Sequence, residues 1–206
     1  MYVINVIGFI ILSILPLLTL ISCTQNNTAP IIPKNILQQG DIVFRRGEGI
    51  ISEIVIRSDV NGMYSHIGVI VEHNGSLKVV HAVPGEPDHE KDFDRVKLEP
   101  IDQFFSPYRS ARGEVKRIEL TDSQSNIIRQ VAMSKVNDKI KFDHDYNLND
   151  TTELYCTELV QLVFSHVGIN LSENRTTKIN VPGMSGDYIM PSDIYENEKL
   201  ISIYKY

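Results

Sequence analysis

Two cysteines in 206 residues leave no material for a disulfide framework. Cys23 ends an apolar N-terminal stretch, so Cys156 stands alone in the body of the chain, with no internal partner. Basic clusters are missing there too, and the formal net charge is -6; nucleic-acid binding lacks its electrostatic footprint and is set aside. No H-x-x-x-H or C-x-x-C pair seeds a zinc site, which leaves only the dispersed trio His66, His81 and Cys156 for one. Asp143, Asp145 and Asn147 imitate the first ligands of an EF-hand loop. Leu148 replaces its turn glycine, however, and Leu154 its last glutamate, so calcium is not expected. No metal or other cofactor is called for, and no segment repeats.

Charge is also absent from Val3 to Ile21, a stretch rich in Ile and Leu. Its length suits a membrane span or the apolar region of an export signal. The segment ends in Leu20-Ile21-Ser22-Cys23, which resembles a bacterial lipobox. The expectation is a signal peptide over 1–22, a lipidated Cys23 and a tether over 23–36 that includes Pro30 and Pro33. One domain then covers 37–206, with an uncleaved anchor as the alternative to cleavage. Either way the domain belongs to the bacterial cell envelope, membrane-anchored and facing the periplasm or the exterior. What is present otherwise is ordinary for a globular protein, 42% hydrophobic and 22% charged residues, enough for one real core.

Gly40 to Arg45 reads as a strand and Gly49 to Ser58 as a short helix. Tyr64 to Glu72 is a strand with apolar residues on both faces, followed by the turn His73-Asn74-Gly75-Ser76 and a returning strand to Val83. Arg95 to Glu99 alternates like an exposed strand, Ile101 to Phe105 forms one helical turn, and Glu114 to Ile118 is another strand. Thr121 and Gln124 have capping-box spacing and open a helix through Val136. A second helix carries Cys156, Leu159, Val160, Val163 and Val167 and stops at Gly168. Gly168 to Met190 reads as a long loop, a flap beside the site, before a short helix at Pro191 and a last strand from Leu200. Asp41 and Glu158 read as structural, with Arg45 or Arg46 as partners.

A free thiol at a helix start is open to activation by the helix's partial positive charge, but a nucleophile also needs an imidazole, itself oriented by a partner. Of the six histidines, His73 and His89 lie in a turn and an acidic loop. His144 lies in an irregular acidic stretch, and His166 sits ten residues down the cysteine helix, about 15 Å away. His66 and His81 remain. A two-residue turn at Asn74-Gly75 puts them on one face as diagonal neighbours, with Gly68 leaving the space between them open. An odd loop length would separate them.

Gly40-Asp41-Ile42-Val43-Phe44-Arg45-Arg46-Gly47, Tyr64-Ser65-His66-Ile67-Gly68, Val80-His81-Ala82-Val83, Tyr155-Cys156-Thr157-Glu158-Leu159-Val160 and Pro191-Ser192-Asp193-Ile194 occur in this order. Together they resemble the YiiX/YebB-like proteins, circularly permuted relatives of NlpC-type cysteine hydrolases. The resemblance implies an α+β, permuted papain-like fold, an antiparallel sheet or small barrel packed against helices. It implies Cys156 as nucleophile, His66 as base and His81 as third polar residue, with Tyr155 lining the pocket or assisting at the oxyanion beside the Cys156 N–H. The activity implied is hydrolysis of an amide, in a cell-wall peptide, through a thioester. A histidine at position 81 resembles the lecithin:retinol acyltransferase branch, which keeps a lipid thioesterase or acyltransferase open. A silent binding module is the third alternative, against which the retained Cys156, His66 and His81 argue. The partners are therefore a peptide or acyl substrate and, through the anchor, a membrane.

Overall fold

Asn74 and Gly75 set the register on which the site depends. Both take positive φ, 52° and 75°, as a two-residue hairpin turn of this kind requires. They join strand β2 (His66–His73) to β3 (Ser76–Val83). The ladder runs from His73 opposite Ser76 to Val69 opposite Val80. The even loop thus leaves His66 and His81 on one face. The computed structural model describes residues 30–181 and 184–206; the expected signal peptide and Cys23 lie outside them.

The hairpin is the centre of a six-stranded sheet of order β4-β3-β2-β1-β5-β8, antiparallel at every pairing. Its other strands are β1 (Ile42–Arg46), β4 (Arg95–Pro100), β5 (Arg112–Arg117) and β8 (Ile201–Lys205). The sheet is open, with β4 and β8 at its edges, rather than closed into a barrel.

Period-2 alternation sends apolar side chains to both faces, so both are covered. Ile42, Phe44, Ile67, Val69, Val80 and Ala82 pack on one side with α3 (Asp122–Asn137) and α4 (Cys156–Ser165). Val43, Ile70, Val79 and Val115 pack on the other with α2 (Ile101–Phe104). Thr121 caps α3 as its spacing predicts. Its hydroxyl accepts the Gln124 N–H at 3.2 Å, and the Gln124 side chain accepts the Thr121 N–H at 3.0 Å. Helix α1 (Ile50–Ser58) buries none of its residues.

Three expectations fail. The stretch from Gly168 to Met190 is not a plain loop. It contains a separate hairpin of β6 (Thr177–Val181) and β7 (Met184–Tyr188), followed by α5 (Pro191–Tyr195). Strands that pair only with each other need no continuous apolar face, so the usual pattern is missing. Asp41 accepts two hydrogen bonds from Arg117, at 2.6 and 2.8 Å, and none from Arg45 or Arg46. The pairing of Ile42 with Lys116 places Arg117 opposite Asp41, whereas Arg45 is about 13 Å along the same strand. Glu158 accepts the Tyr155 N–H at 3.4 Å. Finally, β4 lies at an edge, yet Lys97 and Glu99 are buried. Its charged side points inward.

Candidate active site

Tyr155, in extended backbone (φ -92°, ψ 175°), leads into α4, and Cys156 is the first helical residue. Burial pushes the thiol pKa up to about 11, and the N–H groups of Ile67, Thr157 and Cys156 itself, which face the sulfur, pull against it. The helix start alone suggested a lowered pKa. Desolvation of the charged form outweighs it here, and that depends on what packs around the sulfur. Ile67 lies two residues beyond the last β2–β3 pair, Val69 with Val80, where the two strands have parted.

His66 and His81 lie on the sheet face covered by α2, and the Phe104 ring packs against both, with centroids 5.7 and 5.3 Å away. Gly68 is what lets them approach. A Cβ there would come within 2.6 Å of Val79 Cγ1 and 3.2 Å of His81 Cβ. His66 Nε2 and His81 Nδ1 are 2.8 Å apart, a hydrogen bond between buried rings. Both imidazoles titrate well below the usual histidine range: burial is the largest cause for each, followed by the charge of Arg45. Burial thus disfavours the charged form of the thiol and of both imidazoles.

Behind His81 is a buried ionic cluster. His81 Nε2 lies 3.0 Å from Glu99 Oε1, close enough for an ion pair but misaligned for a hydrogen bond. The Glu99 carboxylate accepts from Arg109 Nη1 at 2.8 Å. Arg45 pairs with Glu86, donates to the Phe104 carbonyl at 2.9 Å and stacks over that ring, 4.6 Å from its centroid. Burial raises the pKa of Glu99, against the opposing pull of Arg45, Arg109 and Lys97. Glu86, Lys97, Glu99 and Arg109 were not singled out from sequence, and Arg45 only as a partner for Asp41 or Glu158. The signal was there in Lys97 and Glu99, two apart on one strand, but alternating charge does not say which side is buried.

Two cavities meet at His66. One, of about 280 Å³, is lined by His66, Cys156 and mostly apolar or aromatic side chains, among them Ile51, Ile54, Tyr146 and Tyr188. The other, of about 550 Å³, holds His66 with Arg45, Glu86, Arg109 and Tyr108. Tyr155 lines the apolar cavity, but its hydroxyl is engaged, accepting the Ile189 N–H at 3.1 Å. Thr157 donates its hydroxyl to the Ile189 carbonyl. The remaining histidines lie elsewhere: His144 is 3.2 Å from Asp94 and His166 is 2.9 Å from the Leu162 carbonyl. Among the described residues, no group of three or more His, Cys, Asp and Glu side chains is disposed to hold a metal ion. Asp143, at the head of the EF-hand imitation, accepts the N–H groups of Asp145, Tyr146 and Asn147 instead.

A histidine strand that precedes a cysteine helix, across an antiparallel sheet, is the layout of a permuted papain-like cysteine hydrolase. The chain belongs to the permuted papain-like amidase enzyme family YaeF/YiiX, C92, whose model matches residues 36–198. The crystal structure of metalloprotein YiiX from Escherichia coli O157:H7 superposes with a TM-score of 0.66 at 20% identity, over 82% of this chain and 97% of that one. No curated protein matches the sequence. The protein is thus a cysteine hydrolase of the amidase type.

Proposed function

We propose that Cys156, His66 and His81 hydrolyse an amide through a thioester, in a protein tethered at the membrane by lipid on Cys23. The observation that carries the site assignment is the engagement of His66 Nε2 by His81, 2.8 Å away. Nδ1 is then the nitrogen left to serve the thiol that lines the same cavity. His66 Nδ1 takes the Sγ proton as sulfur attacks the carbonyl carbon. The N–H at the start of α4 meets the developing oxyanion. As the C–N bond breaks, His66 returns the proton to the leaving amine. Water then gives a proton to His66 and attacks the thioester, and the thiol is restored as the acid leaves. Nothing here routes through a metal; the metalloprotein designation is that of the Escherichia coli relative, and the facing nitrogens of His66 and His81 are spent on each other.

A peptide of the cell wall is the amide within reach of an enzyme anchored in the envelope. The cavity beside Cys156 favours a second substrate. Its wall of Ile51, Ile54, Tyr146 and Tyr188 suits a long apolar acyl group, while the charged cleft on the far side of His66 suits a polar amine or alcohol leaving group. The two are separated by incubating the purified protein and its Cys156→Ser variant with muropeptides, and with long-chain acyl amides and thioesters. Muropeptide cleavage lost in the variant supports the cell-wall substrate, and acyl release lost in the variant supports the lipid-like one. Cleavage that survives Cys156→Ser would overturn the site assignment.

A further inference from the structure

Only one arrangement of protons across the two histidines leaves a base facing Cys156. For His66 Nδ1 to accept the thiol proton, its Nε2 must carry the hydrogen and donate it to His81 Nδ1. His81 must then hold its own proton on Nε2, the nitrogen 3.0 Å from Glu99 Oε1. The opposite arrangement, with each proton moved to the other nitrogen, satisfies the 2.8 Å bond equally well. It leaves His66 with a hydrogen on Nδ1 and no capacity to accept a proton there. Something outside the pair must choose between them.

We propose that Glu99 makes that choice: as a positioning residue it holds His81 in the Nε2–H form, and through His81 it keeps His66 Nδ1 unprotonated toward Cys156. This rests on the reading of Cys156 and His66 as nucleophile and base. An ionised carboxylate accepts hydrogen bonds and has none to give. Glu99 is 1% exposed, so water does not compete for the contact. Its other oxygen is fixed by Arg109 at 2.8 Å, with Arg45 4.0 Å from Oε1. Phe104 packs on both imidazoles, so neither ring is at liberty to turn away. His81 Nε2 and Glu99 Oε1 are also two of the three buried side-chain atoms without an aligned partner among the described residues. They face each other 3.0 Å apart, and a modest rotation of the carboxylate completes the bond.

The test is Glu99→Gln, read by histidine ¹⁵N NMR and by turnover. Arg109 only donates, so it claims the oxygen of the new amide and turns the NH₂ toward His81 Nε2. The expected result is wild-type His81 protonated at Nε2 and, in Glu99→Gln, at Nδ1, with His66 changing in step. For whichever substrate is cleaved, kcat should fall on the order of 10³- to 10⁴-fold with KM little changed, as a wrong tautomer costs a serine triad. Glu99→Asp should retain the wild-type tautomers. Wild-type His81 protonated at Nδ1, or Glu99→Gln spectra with unchanged tautomers, would overturn the proposal. The wild-type and Glu99→Asp spectra decide the matter even if Glu99→Gln does not fold. If the wild-type protein cleaves neither substrate class, the hydrolase assignment fails while the tautomer result stands.

Discussion

His66 Nε2 and His81 Nδ1 lie 2.8 Å apart, on the two arms of one hairpin, with Gly68 as the residue that lets the arms close. The bond spends one nitrogen of each ring, so each histidine has one nitrogen left. On the proposed reading that of His66 serves the thiol, while that of His81 faces Glu99. A two-residue turn at the far end of the hairpin sets the register that brings the two rings together.

Replacing His66 by Gln should lower kcat on the order of 10³-fold or more, as loss of the base does in a nucleophile–base pair. Replacing His81 by Ala should cost less than either that change or Glu99→Gln, because the His66 imidazole left behind can still reach the tautomer that Glu99→Gln denies it. Steady-state kinetics on the cleaved substrate, with circular dichroism to confirm folding, measures both. Equal losses would mean that His81 does more than orient.

Gly68→Ala should destabilise the fold by about 1–3 kcal/mol, the range for a side chain forced into a packed core. The added Cβ meets Val79 Cγ1 and the Val80 carbonyl, so β2 and β3 must shift apart and the histidine bond must lengthen. Urea denaturation reports the first effect. Loss of activity beyond the loss of folded protein reports the second.

Acid should unfold the protein earlier than its carboxylates alone require. Both imidazoles have folded-state pKa values well below 6.5, so below that pH the unfolded chain binds more protons than the native one. The stability linked to them is fully present above about 6.5 and is lost as pH falls toward the folded values. A thermal midpoint that drops between pH 7 and 5 in the wild type, and drops less in a folded His81→Phe variant, is the expected pattern.

Alkylation of Cys156 by iodoacetamide should accelerate with pH well beyond neutrality, since burial sets the thiol pKa at about 11. A thiolate already paired with an imidazolium would instead reach its plateau near or below neutral pH. A flat rate from pH 6 to 9 would contradict a thiol held neutral by burial.

Much of this was legible in the chain. Asn74-Gly75, the Thr121 cap and the apolar stripe of α4 are local signals, and each formed the element its residues specify. The diagonal placement of the histidines followed from them. What was not legible depends on non-local packing. Glu99 reads as a surface charge until β3 is laid beside β4, with His81 opposite Lys97. The thiol's pKa reads as lowered until the sulfur's surroundings are known. The β6–β7 hairpin has no face against the main sheet and so has no pattern of its own.

The two walls of the apolar cavity are held in unlike ways. On one side, Ile189 is fastened to the start of α4 by both its N–H, to Tyr155, and its carbonyl, to Thr157. A change there that resizes the cavity also moves the residues flanking Cys156. On the other side stands α1, which buries none of its residues and offers Ile51, Ile54 and Val55 to the same space. Substitutions on α1 can reshape what the cavity admits with little disturbance to core or thiol. A change in what the cavity admits is therefore easiest to make on that helix, and hardest on the wall that carries Cys156.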